Sequence, residues 1–272
     1  MKFFLRSRFW RAAGATLTMF LQPLTFARSA DQRFSDMVRI NAGQFLMGSD
    51  DGPEDERPMH KINLAEFRID RHQVTHAQFA RFLDAVGTES ARGEKYFDIG
   101  DDDARLHRRN GRWLADRGHE IRPVVEVSWF GAAAFCRSVG KRLPTEAEWE
   151  RSARGVDGRK FPWGNESPDA TRAHFNAGWN DFRDVGSFPN GATPEGVFDL
   201  AGNGWEWVSS AYRSYPYNAA DGREDLSESQ ARVMRGGGQD SRADELTATH
   251  RGRHVSRNFR SGHHNIGFRC AR

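Results

Sequence analysis

The sequence contains two cysteines, Cys136 and Cys270, among its 272 residues. So low a number excludes a disulfide-rich scaffold and leaves at most two thiolates for a soft metal ion. No apolar run reaches the roughly 20 uninterrupted residues that a transmembrane helix needs. Repeats and low-complexity segments are also lacking. A folded, non-repetitive domain is therefore expected.

A strong net charge is missing as well once the N-terminus is set aside. The chain has 40 Lys and Arg against 37 Asp and Glu, but residues 1–29 hold five of the basic residues and no acid. The remainder has 35 basic and 37 acidic residues. Because nucleic-acid binding needs a basic surface, this balance gives no reason to expect a nucleic-acid partner.

Residues 1–29 have the pattern of an export signal. Residues 1–11 are basic, and residues 12–27 form a short, interrupted apolar stretch that ends in small residues suitable for signal peptidase. We predict a cleaved signal peptide over residues 1–29 and a mature domain over residues 30–272. That domain is expected in the periplasm without membrane attachment, and an uncleaved anchor is the alternative.

The predicted compartment bears on the two cysteines. In an oxidising compartment, two well-separated cysteines more often pair than stay free. A bridge between Cys136 and Cys270 is therefore expected, and two buried free thiols are the alternative.

Two capping boxes predict short helices. Thr75 and Gln78 precede one apolar helical face, and Thr145 and Glu148 open a second helix. Ser128 is placed to cap a third helix.

Alternating and apolar runs predict short strands. Residues 37–40 and 44–47 flank a turn and predict a hairpin, and residues 62–69 predict one half-buried strand. Residues 124–127 predict a further strand, and Asn110-Gly111 predicts a hairpin turn. Together with the helices, these patterns indicate one α+β domain with much irregular structure.

Eight motifs in order resemble one family. They are NAGQFLMGS (41–49), DRHQVTHAQF (70–79), PVVEVSW (123–129), GKRLPTEAEWE (140–150), PWG (162–164), GNGWEW (202–207), RGGG (235–238) and GFRC (267–270). This set resembles the formylglycine-generating enzymes, or sulfatase-modifying factor family. The resemblance implies one compact domain related to the C-type-lectin-like fold, with little regular secondary structure and the Cys136–Cys270 bridge. A monomer is expected.

The resemblance breaks at the residues that carry the family's chemistry. Formylglycine-generating enzymes oxidise a substrate cysteine with oxygen, using two cysteines that hold copper(I) shortly after the Arg-Gly-Gly motif. Here Ser241 stands at the first cysteine position, and Glu245 or Leu246 stands at the second. Because oxygen ligands suit copper(I) poorly, no copper is expected and formylglycine formation by that mechanism is disfavoured.

An exported branch of the family that lacks these cysteines includes the oxidase that matures the pyoverdine chromophore. The chain is similar to this branch, which implies oxidation or maturation of an exported peptide, protein or siderophore-like small molecule. Glu245 is the predicted general base, with Ser241 and Asp240 as hydrogen-bonding groups beside it. The alternative is a catalytically silent, calcium-stabilised binding or accessory module.

One further motif offers hard oxygen ligands. Asp199 and Glu206 supply carboxylates, and the glycines at 202 and 204 let backbone carbonyls turn inward. Such a set suits Ca²⁺, and the resemblance implies calcium at the matching positions, Asp199, Gly202, Gly204 and Glu206.

The resemblance also implies a second calcium site that begins at Asn176 and Ala177, with Asp181 as a further candidate. The tryptophans are expected mainly in the core, although Trp205 or Trp207 could line a substrate groove. The histidines are expected to be scattered rather than gathered at a metal centre.

Overall fold

The computed structural model describes residues 36–227, 230–252 and 259–272. The predicted signal peptide lies outside these residues. The strands are β1 Met37–Ile40, β2 Gly43–Met47, β3 His60–Leu64, β4 Phe67–Asp70, β5 Leu106–Arg109, β6 Arg112–Ala115, β7 Trp205–Ala211, β8 Arg232–Arg235 and β9 Ile266–Phe268. The α-helices are α1 His76–Val86, α2 Trp129–Ser138 and α3 Glu146–Arg154. Short 3₁₀ helices cover Glu54–Glu56, Pro189–Gly191 and Ala243–Leu246.

The strands form four small sheets rather than one large one. β1 pairs with β4, β2 with β3, and β5 with β6, all antiparallel. The fourth sheet has the order β8-β7-β9, in which β7 runs antiparallel to β8 and parallel to β9. With three α-helices and these sheets, the fold is the expected α+β class.

The predicted hairpin of residues 37–40 and 44–47 is wrong in its pairing. Both strands form, but they pair with β4 and β3 instead of with each other. The predicted single strand over residues 62–69 is accordingly two strands. The reason is that β1 packs in the cluster around Trp149, whereas β2 packs in a different cluster with Tyr215.

Both capping boxes are confirmed. The Thr75 side chain accepts a hydrogen bond from the backbone of Gln78, whose own side chain accepts one from Thr75 N–H. The Thr145 and Glu148 pair does the same at α3. These contacts satisfy donors that a helix leaves open at its first turn, so both helices begin where the sequence predicts.

No strand forms at residues 124–127. Glu126 lies in the left-handed region with a φ of 59°, which interrupts extended backbone, and the segment makes isolated bridges only. The predicted hairpin turn at Asn110-Gly111 is present between β5 and β6.

A disulfide joins the C-terminal strand region to helix α2. Cys136 and Cys270 are bonded, with their Cα atoms 5.6 Å apart. Both are fully buried in the largest apolar cluster, beside Phe79, Phe135 and Phe268. The bridge thus fixes two elements that are 134 residues apart in sequence.

Within the residues that the structure describes, no helix is both long enough and apolar enough to cross a bilayer.

Candidate active site

A pocket of about 900 Å³ opens at one side of the fold. The loop between β2 and β3, the segment after α3, the start of β7 and residues 238–252 form its walls. Its acidic lining residues are Asp51, Glu56, Asp240, Asp244 and Glu245. Ser241 also lines the pocket. All three residues predicted to be catalytic, Asp240, Ser241 and Glu245, therefore lie in its lining.

Asp240 is fixed by two neighbours. Its carboxylate accepts hydrogen bonds of 3.2 Å from the amide of Asn265, and His264 Nε2 lies 3.4 Å from Oδ2. The His264 hydrogen bond lowers the pKa of Asp240. Asp240 is therefore an ionised acceptor at neutral pH, in keeping with a hydrogen-bonding role.

Ser241 and Glu245 also make local contacts. Ser241 Oγ accepts a 3.0 Å hydrogen bond from Gly238 N–H. Glu245 Oε2 accepts a 2.8 Å hydrogen bond from Arg242 N–H at the start of the 3₁₀ helix. One oxygen of the predicted base is thus occupied in ordering its own segment.

A histidine–carboxylate pair in this pocket was not predicted from the sequence. His250 Nδ1 lies 3.3 Å from Glu56 Oε1. The Glu56 side chain is 2% exposed and the His250 side chain 16%. In the tautomer with Nδ1 protonated, Nδ1–H donates to Glu56 and Nε2 is left as a basic acceptor. A base oriented by a buried carboxylate is an arrangement suited to proton abstraction.

Backbone contacts explain why Glu56 is buried within a loop of strongly polar sequence. The 3₁₀ helix Glu54–Glu56 folds back on the loop, and Ser49 N–H donates a 2.9 Å hydrogen bond to Glu56 O. Gly48 has a φ of 82°, and a Cβ there would lie 2.5 Å from Glu56 O. The glycine therefore permits the approach that brings Glu56 to His250.

The basic residues of the pocket differ in how they are held. Arg159 is buried and donates to Glu195 at 2.9 Å, and Arg154 lies 3.6 Å from Glu150. Lys160 forms no salt bridge within the described residues. Lys160 lines the pocket and is therefore a cation with which an acidic group on a ligand can pair.

The two tryptophans predicted for a groove have different places. Trp205 lines the pocket, with its ring 5.7 Å from that of His250. Trp207 is fully buried, and its Nε1–H donates a 3.0 Å hydrogen bond to Val127 O. Trp207 is therefore part of the core and lies outside the lining of this pocket.

Two of the predicted calcium ligands, Asp199 and Glu206, contact Arg269. Both oxygens of Glu206 accept from this guanidinium, at 2.7 and 2.6 Å, and Trp149 Nε1–H donates to Glu206 Oε2 at 2.9 Å. The carbonyl of Gly204 accepts a 2.7 Å hydrogen bond from Gln73. Glu206 is thus already compensated by a buried cation, which leaves it a weak partner for a metal ion.

Asp199 fits a hard cation better. Its Oδ2 accepts a 2.6 Å hydrogen bond from Gly186 N–H, but its buried Oδ1 has no partner among the described residues. Burial raises the pKa of Asp199 from 3.8 to about 6. An orphaned buried carboxylate oxygen suits Ca²⁺, so Asp199 would be the principal charged ligand.

The second predicted calcium site takes part in backbone pairing. Asn176 N–H donates to Ser241 O, and Ala177 N–H donates to Gln239 O. Asp181 lies 3.1 Å from Arg183, so its charge is compensated by that side chain. Asn176 and Ala177 therefore support the wall of the pocket, and calcium binding there stays a prediction.

Asp199 gives a testable pH dependence. Because its folded-state pKa is raised, stability without calcium should fall as pH rises from about 4 to about 6, by about 3 kcal/mol. Asp199→Asn should lack this decline. A hundredfold excess of calcium over the dissociation constant of the Asp199 site should stabilise wild type by about 2.7 kcal/mol more than it stabilises Asp199→Asn at pH 7. Urea denaturation with calcium or chelator measures both effects, and equal responses of the two proteins would contradict the assignment.

Comparison with known proteins identifies the family. Residues 23–272 match the sulfatase-modifying factor enzyme 1-like domain, and the chain belongs to this family. It is 34% identical to an inactive C-alpha-formylglycine-generating enzyme 2 from Bos taurus, with 87% of each chain covered. The solved structure of PvdO from Pseudomonas aeruginosa is similar, with a TM-score of 0.66 and 29% identity over 87% of this chain and 93% of that one.

A third relative is longer than this chain. The serine/threonine-protein kinase pkn1 of Chlamydia caviae is 40% identical over 88% of this chain, but the match covers 38% of that protein. The similarity therefore concerns one part of the relative.

Proposed function

We propose that this chain is an exported maturation enzyme that acts on a peptide or siderophore-like substrate without copper. The observation that carries the proposal is the His250–Glu56 pair in a large pocket of mixed charge. Lys160 can accept a carboxylate of such a substrate, and Asp51 or Asp244 can accept an amine. The charges that line the pocket support this substrate class.

The chain's own residues would move a proton. His250 Nε2 takes the proton from the substrate, and Glu56 stabilises the imidazolium that results. Asp240, Ser241 and Trp205 form the surrounding wall. Glu245 is the alternative base, disfavoured because Arg242 N–H occupies one of its oxygens.

The bonded state of the cysteines supports a reaction without copper. The chain has two, and both are in the buried bridge between Cys136 and Cys270. No thiolate is left for copper(I), which prefers soft ligands. We propose that the mature domain, residues 30–272, works in the periplasm as a monomer after its signal peptide is removed, with calcium at Asp199 contributing stability.

A binding or accessory module is the second candidate. It is favoured by the local hydrogen bonds that engage Asp240, Ser241 and Glu245, which hold these groups as a structural wall. In that case the pocket binds a ligand and releases it unchanged.

Substitution of His250 separates these candidates. His250→Gln should lower turnover by about 100-fold or more, because the base is lost while the shape of the side chain is roughly kept. Glu56→Gln should reduce turnover less, since the imidazole remains. Mass spectrometry of exported peptides and siderophore precursors incubated with the protein detects the converted product. His107→Gln, on the exposed β5 strand, is the matched control and should match wild type.

Three results would decide against the proposal. Full turnover in His250→Gln would remove this residue from the chemistry, and loss of turnover in Glu245→Gln alone would transfer the role to Glu245. Ligand binding by thermal shift with no product from wild type would support the module. Copper-dependent conversion of a sulfatase-type cysteine peptide to formylglycine would contradict the copper-free reaction.

A further inference from the structure

Glu126 is a buried residue whose carboxylate accepts no hydrogen bond from the described residues. The residue is 2% exposed, and its side chain forms no hydrogen bond or ion pair with any described residue. Its backbone is held from both sides, because Glu126 N–H donates to His263 O and Asp98 N–H donates to Glu126 O. The backbone is thus fixed, whereas the side chain lacks, among the described residues, the partners that buried carboxylates normally have.

Two further carboxylates face Glu126. Oxygen atoms of Asp101, Asp103 and Glu126 all lie within 4.8 Å of one another. Asp101 is exposed and Asp103 half-buried, so these two alone would be an ordinary acidic surface pair. Glu126 distinguishes this cluster from such a pair, because it is buried, has no side-chain partner among the described residues and lies against the two Asp carboxylates.

Within the part of the chain that the structure describes, no positive side chain forms an ion pair with this cluster. None of the three carboxylates forms a salt bridge with Lys or Arg in residues 36–227, 230–252 or 259–272. Asp103 accepts hydrogen bonds from Trp179 Nε1, at 2.6 Å, and from the Asn180 amide, both neutral donors. Carboxylates so close are stable as anions only with a cation between them.

We propose that Asp101, Asp103 and Glu126 bind a hard divalent cation of the calcium class. The donor set consists of oxygen atoms alone, as hard cations prefer. It does not match zinc and copper, which prefer thiolate and imidazole ligands. One buried and two accessible carboxylates leave the outer side open for water ligands, as calcium sites commonly have. This site is separate from the one predicted at Asp199, which lies on the loop before β7.

The cation would organise one wall near the active site. Asp103 holds Trp179 through its indole N–H, and the Trp179 ring stacks on His264 at 3.6 Å. His264 in turn contacts Asp240, which lines the pocket. Binding at Asp101, Asp103 and Glu126 therefore orders the loop after Phe97 and, through Trp179, the rim of the pocket.

Calcium titration of the purified, chelator-treated protein tests the proposal. Calorimetry should show a calcium-binding step that Glu126→Gln and Asp101→Asn each weaken by about tenfold or more. Asp102→Asn is the matched control, because it removes the same charge from the same loop at an exposed position outside the cluster. Asp199→Asn should leave this step in place, since it belongs to the other predicted site.

A second readout places the ion. Terbium(III), a luminescent substitute for calcium, should be sensitised by Trp179 in the Asp199→Asn variant, which lacks the other predicted site. Adding Trp179→Leu to that variant should abolish this signal without abolishing calorimetric binding. Because Asp101 is exposed, Asp101→Asn tests the site even if Glu126→Gln does not fold. Unchanged calcium affinity in Asp101→Asn, or equal weakening in Asp102→Asn, would overturn the proposal.

Discussion

Glu146→Gln should lower the free energy of unfolding by about 3–5 kcal/mol, the range for breaking a buried ion pair by removing one partner. Glu146 is fully buried and accepts hydrogen bonds from Arg251 at 2.7 and 3.2 Å, from Arg235 at 3.1 Å and from Tyr215 at 3.1 Å. Loss of its charge leaves two buried guanidinium groups with one remaining carboxylate, that of Glu150, which lies 2.6 Å from Arg235.

The matched control is an exposed pair of the same chemistry. Glu66 lies 2.5 Å from Arg39, and the two side chains are 43% and 62% exposed. Glu66→Gln should change stability by less than about 1 kcal/mol, because solvent screens the attraction. Urea denaturation with an unchanged slope measures both variants. Equal losses in the two proteins would contradict the role given to the buried network.

This network also shows which parts of the fold local sequence predicts. In each capping box the cap residue and its partner are close in sequence: Thr75 pairs with Gln78, and Thr145 pairs with Glu148. The sequence pattern alone therefore places the helix starts. In the buried network, Glu146 is 89 residues from Arg235 and 105 residues from Arg251 in sequence. No spacing rule reaches across such separations, and a polar residue in sequence normally suggests solvent.

Strand partners were mispredicted for a similar reason. The alternation of residues 37–40 and 44–47 correctly predicts strands, because it reflects which side chains face inward. It does not tell which apolar cluster receives them. Ile40 packs with Trp149 and Phe45 packs with Tyr215, so the two strands diverge to separate partners.

The sequence predicted which segment lines the candidate site, but it did not predict the His250–Glu56 pair. The spacing from the Arg-Gly-Gly motif singled out Ser241 and Glu245, and both line this pocket. The pair of His250 and Glu56 joins residues 194 apart, and the acidic loop around Glu56 resembles any solvated loop. The sequence feature that could have indicated this pair is the position of Glu56 close after Gly48 and Gly52. Without the fold, that feature is weak evidence.

Removing the disulfide should have an effect of similar size. Replacing both Cys136 and Cys270 with Ala should lower the free energy of unfolding by about 2–5 kcal/mol, because the unfolded chain regains the entropy of an unclosed loop. The sequence separation is 134 residues, toward the upper end of that range. Both side chains are fully buried, so small cavities add to the loss.

Reduced wild type separates the bridge from the cavities, because it keeps both sulfur atoms. Its stability should fall most of the way to that of the double variant when unfolding is measured with reductant. Peptide mapping without reductant should first show Cys136 joined to Cys270 in exported protein. If reduced and oxidised wild type unfold at the same urea concentration, the bridge contributes nothing, and the loss in the double variant comes from packing around Phe79 and Phe268.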